Sequence, residues 1–141
     1  MKLPPKEKVY EAWTAIEDNR VSLHSDYAII RSSDDSKEYK VRFDGDTYAS
    51  DDNATYWRGY PGYPVLAVLM LQGRLPFNDE VASLWKDVNW KEINTRFKNR
   101  YSEAVEFVAK ERNIDMALSE KAVTEVMSDL EKLQLIIKRK I

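Results

Sequence analysis

Tyr48-Ala49-Ser50 and Gly62-Tyr63-Pro64, the second running directly into Val65-Leu66-Ala67-Val68-Leu69-Met70-Leu71, decide how this chain is read. The first segment closes a strand-like stretch. The second opens an apolar run that Pro64 starts and Gly73 stops. That is the order expected at the two ends of a helix: proline loses no useful N–H at the start, and glycine accepts a left-handed turn at the end. Between them, residues 51 to 62 form the one long irregular stretch, rich in Asp, Tyr and Gly. Upstream, Glu38 to Phe43 alternates, with Tyr39, Val41 and Phe43 on one face and Lys40 and Arg42 on the other, which predicts a half-buried strand. Asp44-Gly45 reads as a hairpin turn, and Asp46 to Ser50 as the returning strand. Val21 to Ser25 and Tyr27 to Ser32 read as two more strands, followed by the turn Ser33-Asp34-Asp35-Ser36.

Helices flank this sheet on both sides. After Pro4-Pro5, a helix is predicted from about Lys6 to Asp18, with Val9, Ala12, Trp13 and Ile16 on one apolar face. Downstream, Asn78 is placed to cap a helix over Asp79 to Lys86, and Asn89 one that starts at Trp90. Ile93, Phe97, Tyr101, Val105 and Val108 recur at helical spacing to about Arg112, with a break near Arg100. Ser119 is predicted to cap a last helix, in which Val123, Val126, Leu130, Leu133 and Ile137 step by three and four. The fold class is therefore α+β, a small antiparallel sheet with flanking helices. Residues 1–75 form an α-β-α module, and residues 76–141 a helical subdomain packed on it as one cooperative unit.

From about Val9 to about Leu75, the order helix, polar stop, strands, short x-x-x pair, variable loop, second pair, and the run Val65-Leu66-Ala67-Val68-Leu69 resembles the SWIM zinc-finger family. That family carries Cys-x-Cys and Cys-x-His at the two paired segments. Here those four positions hold Tyr48, Ser50, Gly62 and Pro64, and Asp52 matches an Asp often found after the second Cys. The resemblance is to a degenerate, metal-free member. It implies a noncatalytic scaffold that binds protein partners or nucleic acid. Separately, the segment from Glu103 to Lys140 is similar to the end of a winged-helix domain, where a recognition helix runs into a wing strand.

Composition narrows the function further. The 141 residues contain no Cys and one His, so disulfides, thiolate chemistry and the usual zinc sites are excluded, and no cofactor is expected. The acids Asp44, Asp46, Asp51 and Asp52 lack the ligand order of a calcium loop. His24 has no nucleophile to serve, and the four glycines make no phosphate-binding loop. An enzyme is therefore not expected. The net charge of −2 argues against binding nucleic acid through bulk charge. The N-terminal residues lack the apolar core of a secretory signal, and the longest apolar run is far short of a bilayer span, so the expected location is cytoplasmic, away from membranes.

Two segments carry the candidate binding residues. The loop holds Tyr56, Trp57, Arg58, Tyr60 and Tyr63. The leading expectation is that these rings are buried and replace the cross-link a metal would supply; the alternative is a contact surface that stacks bases or clamps a peptide. The C-terminus holds Lys138, Arg139 and Lys140. The leading expectation there is a helical bundle arm whose cations complement the helix dipole; its apolar stripe would also serve as a homodimer seam. A protein partner is the favoured ligand. The alternative is a DNA-binding regulator that uses the C-terminal cations together with Arg58 and the loop aromatics.

Overall fold

The computed structural model describes residues 1–141. In chain order the elements are α1 (Lys8–Glu17), β1 (Val21–Leu23), β2 (Tyr27–Arg31), β3 (Glu38–Asp44), β4 (Thr47–Ser50), a π-helical turn (Ala54–Arg58), α2 (Tyr63–Leu71), α3 (Asp79–Ala82) continued by a 3₁₀ turn (Ser83–Trp85), α4 (Trp90–Arg96), α5 (Tyr101–Arg112), α6 (Met116–Lys132) and β5 (Ile136–Lys138). The fold is α+β, with one five-stranded sheet in the order β1-β2-β3-β4-β5.

α2 is the centre of the molecule. Val65 to Met70 are all buried, which requires apolar groups on every side of the helix. Its neighbours are α1 on one side and β1, β3 and β4 on the other. α1 in turn packs on α3, the 3₁₀ turn and α6. One continuous apolar core joins Val41 and Tyr48 of the sheet to Val105, Val126 and Leu130 of the C-terminal helices. The two asparagine caps are present: Asn78 accepts from the Val81 N–H and Asn89 from the Glu92 N–H. Each such cap is worth about 1 kcal/mol over alanine. The break near Arg100 is also present, with Lys98 and Asn99 both at positive φ between α4 and α5.

Three expectations about local structure need correction. The β3–β4 loop is Gly45-Asp46 rather than Asp44-Gly45, because Asp44 pairs with Thr47. Gly45 carries the positive φ of 58°, as the first residue of a type II′ loop does. Ser119 does not cap α6; Asp115 does, accepting from the Ala117 N–H. Ser119 lies inside the helix, fully buried, where its hydroxyl accepts the Trp85 indole N–H at 3.1 Å. The sheet is mixed rather than antiparallel, since β5 pairs with β4 in parallel, Tyr48 opposite Ile137.

That last pairing also overturns the bundle arm. α6 stops at Lys132 and the chain returns to the sheet as a strand, so Lys138 sits on a strand and complements no helix dipole. The stripe of Val123, Val126 and Leu130 is buried within the chain, so it offers no free homodimer seam. A parallel neighbour must be reached by a long crossover, and here α2 to α6 supply it.

Candidate functional site

The four positions that resemble metal-ligand sites surround a hydrogen-bonded knot. The Ser50 hydroxyl donates to Asp52 Oδ1. Asp52 Oδ2 accepts the Thr55 N–H at 3.1 Å, and Thr55 Oγ1 accepts the Gly62 N–H at 2.9 Å. Asp52, Thr55 and Gly62 are all buried. A Cβ on Gly62 would collide with Asp52 Oδ2, so glycine is required by packing. Tyr48 and Pro64 belong to the core, and the Tyr48 hydroxyl donates to Gln72 Oε1 at 2.6 Å. The loop is thus closed by polar bonds across Asp52. No three His, Cys, Asp or Glu side chains stand where they could hold a metal ion.

The loop aromatics divide. Tyr60 is buried. Tyr63 is half-buried and sits edge-on to Tyr39 at 6.3 Å. Trp57, expected in a replacement core, is instead 66 % exposed. The reason is the wide π-helical turn, which swings residues 56 to 58 outward while Gly59, at φ 74°, ends it. Such turns are frequent at functional sites. Trp57→Ala is therefore expected to change stability by no more than about 0.5 kcal/mol in urea unfolding.

β5 brings the second candidate segment to this loop. The Arg139 guanidinium lies 5.4 Å from the Tyr56 ring and 5.3 Å from the Trp57 ring. Its Nε donates to the Tyr56 carbonyl at 3.2 Å, which holds the side chain in place. Tyr56 and Trp57 pack edge to face at 4.8 Å. Lys138 and Lys140 are exposed beside it, and Arg58 is exposed on the loop itself. The sheet adds two cations that sequence reasoning did not single out. Tyr27, Arg42, Ala49 and Lys138 form one cross-strand row, so their side chains share a face. Lys40 lies on the same face, 4.7 Å over the Tyr27 ring, and the His24 ring stacks on Tyr27 at 4.5 Å. Lys40 and Arg42 were legible as the polar half of an alternating strand; what the alternation does not reveal is the parallel β5 that adds Lys138 to their row.

A second constellation lies behind Asp52. α1, Arg20, the β2–β3 turn, Tyr39, the π-helical turn, Tyr63 and α4 enclose a cavity of about 230 Å³. Lys8 and Glu11, on the polar side of α1, form an ion pair at 3.2 Å with both side chains 10 % exposed. Arg20 is 6 % exposed; its NH1 donates to the Arg31 carbonyl and its Nε has no hydrogen-bond partner. Burial raises the Glu11 carboxyl above its ordinary value of 4.5, with Lys8 and then Asn94 opposing the shift. A carboxyl that is raised on folding binds more protons in the native state than in the unfolded chain. Stability is then lost as pH climbs from the ordinary value through the native one. Glu11→Gln removes that titration, so the stability of wild type relative to Glu11→Gln is expected to fall between about pH 4 and pH 7; urea unfolding at both ends measures it.

A family model described as uncharacterised conserved protein UCP014422 covers residues 1–136, ending at the first residue of β5. No curated protein and no solved structure matches the chain. No helix is long and apolar enough to cross a membrane.

Proposed function

The chain belongs to that family, and on this premise we propose that it is a noncatalytic interaction module that holds an acidic segment of a protein partner. The partner lies against the Tyr56–Trp57–Arg139 corner and along the cationic sheet face beside it. The observation that carries the reading is the exposed Trp57 ring, held in a fixed orientation by Tyr56 and Arg139. Trp, Tyr and Arg are enriched among the few residues that dominate binding energy at protein interfaces. Lys40, Arg42, Lys138 and Lys140, with the single carboxylate Asp51 among them, surround the corner on a molecule whose net charge is −2. A local positive patch on an acidic molecule steers and orients an acidic partner without attracting polyanions in bulk. The likeness to SWIM modules points the same way. Nucleic acid is the second reading, favoured by the guanidinium lying over two aromatic rings, a surface on which bases also stack.

The test is affinity capture from native extract with wild type, Trp57→Ala and Arg139→Ala, each with and without nuclease. The expected result is a protein set that survives nuclease and falls about tenfold or more with both variants, as loss of an interface anchor does. A set that disappears with nuclease transfers the corner to nucleic acid. Capture unchanged by both variants refutes the corner as the binding surface.

A further inference from the structure

We propose that the cavity walled by Lys8, Glu11, Arg20, Tyr39, Tyr63 and Asn94 is a binding site for a small organic anion, with a carboxylate or phosphate head and a hydroxylated carbon skeleton. It is separate from the exposed corner and does not depend on it. At about 230 Å³ it falls just below the ~300–1,000 Å³ of drug-sized sites, which suits a metabolite.

The first argument is burial. Burying a charged group costs several kcal/mol even after relaxation, and a buried pair returns that only with complete hydrogen bonding. Lys8 and Glu11 sit on the polar side of α1, where an ordinary amphipathic helix would face water. The chain instead folds α4 and the loop over them, leaving a polar hollow rather than a packed contact. Arg20 is buried, and its Nε makes no hydrogen bond, with Asp18 Oδ2 3.9 Å away.

The second argument is charge. Lys8, Arg20, Lys37 and Lys91 line the cavity against Glu11 and Asp52. Asp52 is committed to Ser50 and Thr55, and Glu11 to Lys8. Lys91 also pairs with Asp34 at 3.5 Å and Arg20 lies 3.9 Å from Asp18, both carboxylates outside the lining, so the cavity wall itself carries more cations than carboxylates, with Arg20 inside and Lys37 at the rim. Asn94, Asn99 and the tyrosine hydroxyls offer partners for ligand hydroxyls. The edge-to-face pair of Tyr39 and Tyr63 offers an apolar wall for the skeleton.

The test is NMR titration of the full chain, following the Trp90 indole and Asn94 amide signals. The probes are malate, glycerol 3-phosphate and, as the uncharged control, glycerol, each to about 10 mM, which exposes any Kd near or below ~1 mM. Saturable shifts with malate, with glycerol 3-phosphate or with both, and none with glycerol, are expected; which anion acts identifies the head group. Arg20→Gln should weaken binding about tenfold or more, and Lys37→Gln, at the exposed rim, several-fold, while Trp57→Ala leaves it unchanged. If Arg20→Gln does not fold, Lys37→Gln decides. The proposal is overturned if neither anion shifts these signals, if glycerol shifts them equally, or if the anion binds the folded variants as tightly as wild type.

Discussion

Trp85→Ala is expected to lower stability by about 3–5 kcal/mol. Trp85 is fully buried at the point where α1, the 3₁₀ turn, α4 and α6 meet. Its ring lies 4.4 Å from Tyr10 and 6.1 Å from Trp90. Its indole N–H bonds Ser119 Oγ, and its carbonyl accepts the Thr14 hydroxyl at 2.6 Å. Thr14 Oγ1 also accepts the Trp90 indole N–H at 2.8 Å. Alanine would leave a cavity and an unpaired hydroxyl on Ser119, and a buried unsatisfied group adds about 1–3 kcal/mol to a packing loss. Urea unfolding with an unchanged denaturant slope measures the difference, and the midpoint of thermal unfolding should fall by roughly 10 °C. A loss below about 1 kcal/mol would mean that α6 closes over the gap, and the packing assigned to Trp85 would be wrong. Set beside the near-neutral Trp57→Ala, this result separates the tryptophan that holds the fold from the one that faces solvent.

Gly62→Ala is expected to cost about 2–3 kcal/mol, by a route unrelated to backbone strain. Gly62 has φ −72°, which any residue adopts. The cost lies in the space a side chain would take: its Cβ would meet the Asp52 carboxylate and come within 3.1 Å of Thr55 Oγ1. Asp52 cannot retreat without giving up Ser50 or the Thr55 N–H. Gly59→Ala is the control. Gly59 has open space around its Cα but a φ of 74°, so its cost of about 1 kcal/mol is conformational. If Gly62→Ala is as stable as wild type, the knot is loose and the loop is held by its aromatics instead. A crystal structure of the variant would show which bond yields.

Much of the local structure was legible in the sequence. The apolar run after Pro64 became the central helix. Asn78 and Asn89 cap as their positions predict, because capping needs only a side chain and an N–H a few residues away. The alternation of Glu38 to Phe43 became β3. Of the candidate site, Tyr56, Trp57 and Arg139 were named from composition, yet nothing local shows that they touch. Residues 56 and 139 are 83 positions apart, and the contact exists because β5 adds to the sheet in parallel. The same limit hid the cavity. Lys8 and Glu11 have the spacing of a solvated helix face, and only α4 and the loop packed above them make that face a wall.

The sequence by itself determined the α+β class, the helix starts at Asn78 and Asn89, the succession of strands up to β4 and the β3–β4 hairpin, and the exclusion of Cys-based chemistry. Each depends on residue identity or on neighbours within one or two turns. Only the tertiary structure decided that the C-terminus is a strand rather than an arm, that Trp57 is outside while Trp85 is inside, and that Arg20 and Glu11 face a hollow. Those outcomes depend on bonds such as Thr14 to Trp85 and Trp90, 71 and 76 residues apart. No short-range preference encodes such bonds; they form because burying the shared apolar core selects among arrangements that local propensity leaves equal.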